Sequence, residues 1–177
     1  VVPGYLTDVN KDYPYAVLSD GNSVLTFYYN KNKKNYNWMK VGETSDLSDK
    51  DWLGDAYATS ITSVVFDDSF AGYSALSSTA FWFFGLSNLS SITGLNNLKT
   101  GNVTTMNNMF RGCQSLTTLD LSGFNTAKVT DMGSMFYGCS GLSTLTLGDS
   151  FDTGQVVYMN EMFQNCSNLT ELDLGTT

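Results

Sequence analysis

Three cysteines recur at one place in a repeated motif: Cys113, Cys139 and Cys166 lie 26 and 27 residues apart. Thiols in such a column could bind a metal ion or form a disulfide. Zinc needs about four ligands, and three collinear thiols in a chain without histidine do not supply them. Leu86 holds the same place in an earlier copy, which indicates that the position needs only a small or medium apolar group. We therefore expect buried free thiols, while copies stacked about 5 Å apart leave one disulfide between neighbours as an open alternative.

Paired carboxylates are the second group that could carry chemistry, since a glycosidase places two acids around the scissile bond. Asp120 and Asp173 hold equivalent places two copies apart, so they would lie roughly 10 Å from each other, which is wide even for an inverting pair. The absence of histidine excludes imidazole bases and Ser-His triads. We expect no enzymatic activity, no cofactor and no metal site.

A motif of 26 or 27 residues positions these side chains. Its four copies begin at Thr79, Met106, Met132 and Met159, and read TAFWFFGLSNLSSITG, MNNMFRGCQSLTTLDL, MGSMFYGCSGLSTLTL and MNEMFQNCSNLTELDL. A fixed period in the twenties is typical of a solenoid, in which each repeat buries its apolar side against its neighbours. The first, fourth, fifth and eighth positions are apolar, as on one face of a helix, and the following leucines alternate as in a strand. The spacing predicts a two-turn helix and then a short parallel strand in each copy.

The N-terminal third of the chain departs from this period. Residues Tyr15–Tyr29 read as two short strands around Asp20-Gly21-Asn22, which predicts a β-hairpin. Residues Ile61–Phe70 fit an earlier, degenerate strand of the repeat. We therefore predict an α/β leucine-rich-repeat solenoid, with short parallel strands on one face and short helices on the other. A β-rich capping unit would cover residues 1–60, and about four to five repeats would cover residues 61–177.

Two phenylalanines in the first copy, Phe81 and Phe84, take positions that are mostly polar in later copies. On a helix these positions face solvent, so we predict that both rings are largely buried under the N-terminal unit, through Trp38, Trp52 or its tyrosines. Exposed rings would instead mark an interface.

The outer row consists of the residues that point away from the predicted core, at positions 13 and 15 of each copy. Its members are Ser91, Thr93, Thr118, Asp120, Thr144, Thr146, Glu171 and Asp173. The row is small, hydroxyl-rich and acidic, and is our candidate surface for a protein or glycan. The alternative is that strand exteriors are polar simply because water wets them. The row carries no aromatic residue, although binding hot spots favour Trp, Tyr and Arg.

Charge and hydropathy exclude other functions. The formal net charge of −8 repels phosphate backbones and anionic membrane surfaces, so we expect no nucleic-acid partner. The longest apolar run, Ala80–Leu86, is far shorter than a membrane span of about 18 residues. No signal peptide is recognisable, yet the content of Ser, Thr, Asn and Tyr suits an extracellular surface.

The last predicted strand, Leu172-Asp173-Leu174, is followed by no further copy in this sequence. Its edge and apolar end would then be exposed. A longer chain, disordered residues or a second molecule could each cover that end, and self-association is therefore one expected mode of partnership.

The units MNNMFRGCQSLTTLDLSGFNTAKVTDM and MGSMFYGCSGLSTLTLGDSFDTGQV resemble the repeat of BspA-like leucine-rich repeat proteins. The segment YAVLSDGNSVLTFYY followed by ITSVVFDDSF is similar to the leader unit common in that family. The resemblance implies a bacterial cell-surface or secreted protein that adheres to host matrix proteins or to microbial surface proteins. The first copy departs from the pattern, because Thr79, Trp82 and Leu86 replace Met, Met and Cys. A carbohydrate-binding module and a structural spacer in a longer repeat array are the alternative functions.

Overall fold

The computed structural model describes residues 10–32, 38–40 and 57–172. Their strands are β1 (Tyr13–Ser19), β2 (Val24–Asn30), β3 (Trp38–Lys40), β4 (Ser63–Phe66), β5 (Ser91–Thr93), β6 (Thr118–Leu121) and β7 (Thr144–Leu147). Short 3₁₀ helices follow β4 and β5, at Asp68–Gly72 and Leu95–Asn97. Five strands form a mixed sheet in the order β3-β1-β2-β4-β5, and β6 pairs with β7 in a separate parallel sheet. No helix among the described residues is long and apolar enough to cross a membrane.

The predicted hairpin is confirmed. Strands β1 and β2 pair antiparallel, with Leu18 opposite Leu25, and the turn residues Asp20, Gly21 and Asn22 all have positive φ. Strand β2 then pairs in parallel with β4. The hairpin and the degenerate first strand of the repeated region therefore belong to one sheet.

The predicted leucine-rich-repeat solenoid of strands and helices is wrong. The described strands divide between a mixed sheet and a separate pair, and none of the predicted two-turn helices forms. In the place of each helix lies a series of tight turns. We call these four segments the turn ladder: residues 79–86, 106–113, 132–139 and 159–166.

Left-handed backbone at two positions of every turn is the reason why no helix forms. The third residue has a φ of 61° at Phe81, 56° at Asn108, 53° at Ser134 and 57° at Glu161. The seventh has 75° at Gly85, 79° at Gly112, 72° at Gly138 and 64° at Asn165. A right-handed helix cannot pass through such residues. Instead, N–H groups bond to carbonyls three residues back, as from Met109 to Met106 at 3.2 Å. This closure keeps the apolar spacing of a helix.

The remaining N–H groups of each turn bond to the next turn. The first, third, fifth and seventh residues of the second turn donate to the third turn: Met106 to Asp131 O at 2.9 Å, Asn108 to Gly133 O at 3.0 Å, Phe110 to Met135 O at 2.9 Å and Gly112 to Tyr137 O at 2.8 Å. The same four bonds join the first turn to the second and the third to the fourth. Neighbouring copies are therefore joined by backbone as well as by side chains.

A column of phenylalanines forms the core of the turn ladder. The rings of Phe83, Phe110, Phe136 and Phe163 follow one another with centroids 5.4, 5.6 and 5.4 Å apart. The segments that return to the next turn add further buried residues, namely Leu98, Val103, Phe124 and Val129, with Phe151 and Val156 partly buried. Apolar residues of neighbouring copies therefore pack against one another.

Candidate functional site

The three thiols lie in a column along the core. Each Sγ lies within hydrogen-bonding distance of a carbonyl oxygen of the preceding turn: Cys113 of Phe83 at 3.2 Å, Cys139 of Phe110 at 3.0 Å and Cys166 of Phe136 at 3.0 Å. All three are free, and Cys113 and Cys139 are buried as predicted, whereas Cys166 is only half-buried. Burial raises the pKa of Cys139 to about 12 and the pKa of Cys113 well above its ordinary value. Such thiols are poor nucleophiles and poor metal ligands at neutral pH.

The outer row is exposed wherever the structure describes it. Strands β6 and β7 pair in parallel, so Thr118 lies beside Thr144 and Asp120 beside Thr146. Ser91, Thr93 and Glu171 are also exposed, whereas Asp173 lies outside the described residues. Binding by this row stays a prediction.

A hollow of about 330 Å³ opens in the strand surface between β5 and β6. It is lined by Ile92, Gly94, Leu95, Asn96, Thr118, Leu119, Asp120, Ser122, Gly123 and Phe124. Strands β5 and β6 belong to different sheets, with no ladder between them. The hollow therefore lies where the strand surface is interrupted, and two members of the outer row line it.

Gly94 explains the interruption. It holds the place that Leu121 and Leu147 take in the next two copies, and it has a φ of 72°. The Nδ2 of Asn97 donates to the carbonyl of Phe66 at 3.1 Å, and a Cβ on Gly94 would lie 2.2 Å from that same oxygen. The chain thus turns away immediately after β5, and no leucine side chain fills the space beside Leu121.

Asp120 is the ionised group of the hollow. Its Oδ1 accepts a hydrogen bond from the N–H of Ser122 at 2.9 Å. This bond, together with one from the Ser122 hydroxyl, lowers the pKa of Asp120 below its ordinary value. An exposed carboxylate with a lowered pKa stays charged at neutral pH, so it cannot serve as the general acid of a glycosidase. The proposed partner carboxylate, Asp173, lies outside the described residues.

Phe81 and Phe84 are half-buried, and the prediction that both are largely buried is wrong. Their ring centroids lie 5.6 Å apart, and the guanidinium of Arg111 lies 5.9 Å from the ring centroid of Phe84. Phe81 has left-handed backbone with a φ of 61°, so its side chain does not point as it would on a helix. The side chains of Trp38 and Trp52, expected to cover them, lie outside the described residues.

Sequence reasoning did not single out Arg111. Its guanidinium lies 4.2 Å from the ring centroid of Tyr137, and its Nη1 donates to Oδ1 of Asn108 at 3.2 Å. This cation–π contact joins two neighbouring copies. The sequence feature that could have predicted it is an arginine and a tyrosine at the same motif position of adjacent copies. The sequence feature that could have predicted the hollow is Gly94, a glycine at a motif position that holds leucine in the next two copies.

Comparison with known proteins assigns the repeated part of the chain. Residues 76–175, more than half of the 177, match a family described as Mycoplasma protein of unknown function, DUF285, and the chain belongs to this family. No curated protein and no solved structure gave a match. Among the described residues, no group of three or more His, Cys, Asp or Glu side chains could hold a metal ion.

Proposed function

We propose that the chain is a non-enzymatic interaction module that binds a protein partner through the outer row, with the hollow at its centre. The hollow is the observation that carries this proposal, because it provides a concave feature on the candidate surface. Its volume of about 330 Å³ is at the lower end of ordinary ligand pockets. It therefore suits one inserted side chain of a partner better than a large free ligand.

The lining of the hollow favours a basic side chain. Ile92 and Leu95 are half-buried and offer apolar surface, while Asp120 offers a charge. Lysine and arginine combine an apolar stem with a cationic head, and so match both parts. The net charge of −8 would also speed the approach of a partner with a basic surface.

The setting we propose is adhesion at a bacterial surface. This part of the proposal is supported by the resemblance of the MxxMFxxC repeat to BspA-like proteins, which are cell-surface or secreted adhesins. The partner would then be a basic region of a host matrix protein or of a microbial surface protein. Glycan binding and a purely structural spacer are the outcomes that would contradict it.

The test compares binding of the chain to immobilised collagen, laminin and heparin by surface plasmon resonance. We expect saturable binding to a matrix protein and at least about tenfold weaker binding of Asp120→Lys. The matched control is Asp12→Lys, an equal change of charge at an exposed residue beside β1, which β2 and β4 separate from β5. If both variants lose affinity equally, the loss is due to the change in net charge and not to the hollow. If neither variant loses affinity, the partner binds at another surface. Binding to heparin alone, or to none of the three by the folded chain, would overturn the proposal.

A further inference from the structure

Arg111 is the only arginine in the chain, whose other cationic side chains are all lysines. Its guanidinium lies 4.2 Å from the ring centroid of Tyr137 and 5.9 Å from that of Phe84. These three residues hold the sixth position of three consecutive turns, so the arginine lies between a ring of the copy before it and a ring of the copy after it. We call these three half-buried residues the arginine patch.

A series of hydrogen bonds orients the guanidinium. Its Nη1 donates to Oδ1 of the buried Asn108 at 3.2 Å, and Nδ2 of Asn108 donates to Oδ1 of Asn107. The amide of Asn107 in turn donates to both carboxylate oxygens of Asp131, at 3.3 and 3.2 Å. The same carboxylate accepts the N–H of Gly133 at 2.8 Å. Arg111 is therefore held by two amides, which separate it from the nearest carboxylate of this series.

The charge of Arg111 is left without a counter-charge in the part of the chain that the structure describes. Its contacts there are the two rings and Asn108, and it forms no ion pair. A guanidinium has five N–H donors, and Asn108 accepts from Nη1 alone. The planar arrangement of these donors matches the two oxygens of a carboxylate. Because the side chain is already held in place, less conformational entropy is lost when a ligand binds.

We propose that the arginine patch binds a protein segment that presents an aspartate or glutamate beside an apolar residue. The carboxylate would pair with the guanidinium, and the apolar residue would pack on the exposed part of the Tyr137 ring. Arginine and tyrosine are among the residues that contribute most to protein–protein binding. The outer row contains neither residue.

Other anionic ligands fit the patch less well. A sugar needs an open, flat ring face, whereas Tyr137 stacks on the guanidinium and the rings of Phe81 and Phe84 are inclined by 45°. A polyanion would be repelled by the net charge of −8. The inference is independent of the proposed function, because the patch belongs to the turn ladder and favours an acidic segment, whereas the hollow lies between strands and favours a basic one.

The test uses the NMR signal of the arginine side chain. Since the chain has one arginine, its folded form gives a single arginine Nε–H signal, which reports on the patch directly. Random peptides displayed on phage are selected on the immobilised chain, and each binder is added to the isotope-labelled chain. We expect binders that shift this signal and carry aspartate or glutamate beside an apolar residue. Replacing that acid by its amide should weaken binding at least about tenfold, and this comparison needs no variant of the chain.

Variants of the chain separate the guanidinium from its charge. Arg111→Lys keeps the charge but lacks the planar pair of donors, so it should also bind these peptides at least about tenfold more weakly. Lys128→Gln is the matched control for Arg111→Gln, since each removes one positive charge and Lys128 is exposed on a return segment. The control should keep the affinity of the wild type.

Three results would overturn the proposal. The first is that no selected peptide shifts the arginine signal. The second is that the amide peptides bind as tightly as the acids, or that Arg111→Gln and Lys128→Gln lose affinity equally. The third is a shift caused by glucuronate and by none of the peptides, which would assign the patch to an acidic sugar.

Discussion

Replacing Gly85 by alanine distinguishes the turn ladder from the helix that the apolar spacing predicted. Gly85 has a φ of 75°, and a Cβ built on it meets no atom within 4 Å, so the substitution adds backbone strain and no clash. Alanine in the left-handed region costs roughly 1–2 kcal/mol. In a helix interior the same substitution would stabilise by about 1 kcal/mol. The two structures therefore predict opposite signs, about 2–3 kcal/mol apart.

Urea unfolding measures this difference as a change in the free energy of unfolding. Gly85→Asn is the conservative variant, because Asn165 holds the same place in the last turn with a φ of 64°, and its loss should be the smaller. Gly101→Ala is the control outside the turns, since its nearest contact would be Asn125 Nδ2 at 3.8 Å, and we expect a change below about 1 kcal/mol. A Gly85→Ala chain that is more stable than the wild type would refute the left-handed turn.

Further predictions concern the core and the hollow. Phe136→Ala should lower the free energy of unfolding by about 3–5 kcal/mol, and Phe163→Ala by less because its half-buried ring stacks on one neighbour; equal losses in urea would contradict the column. The pKa of Cys139 rises from 9.0 to about 12 on folding. The contribution of its buried, protonated thiol to the free energy of unfolding is therefore full below pH 9 and is lost between pH 9 and about 12. In that range the free energy of unfolding should fall by up to about 1.4 kcal/mol per pH unit. Urea unfolding at a series of pH values should show that this fall is absent in Cys139→Ala. By NMR titration, Asp120 should show a pKa below 3.8 that rises in Ser122→Ala, and an unchanged value would contradict the hydroxyl bond.

Strands β1, β2, β6 and β7 were predictable from sequence because their signals are local, whereas β3 was not predicted. Alternation of apolar and polar residues located β6 and β7, and Asp20-Gly21-Asn22 located the hairpin. The turn ladder was not predictable, because turns that close three residues back reproduce the apolar spacing of a helix. The discriminating residue was the glycine at the seventh position, which recurs in three copies and permits positive φ.

The candidate site was predictable only in part. Strand alternation placed Thr118 and Asp120 on the outside, as found. The hollow depends on a missing side chain at Gly94 and on the approach of Asn97 to the carbonyl of Phe66. That contact joins residues 31 positions apart, so no local pattern contains it.

The proposed recognition surface and the packing between copies use different groups. The turn ladder joins copies through backbone hydrogen bonds and buried rings, which restricts the residues at its left-handed positions and in its core. The outer row contributes exposed side chains on strands whose buried neighbours, such as Leu119 and Leu121, maintain the packing. A change at Asp120 should therefore alter recognition without weakening the packing between copies. A change at Phe136 should weaken that packing without altering the recognition surface.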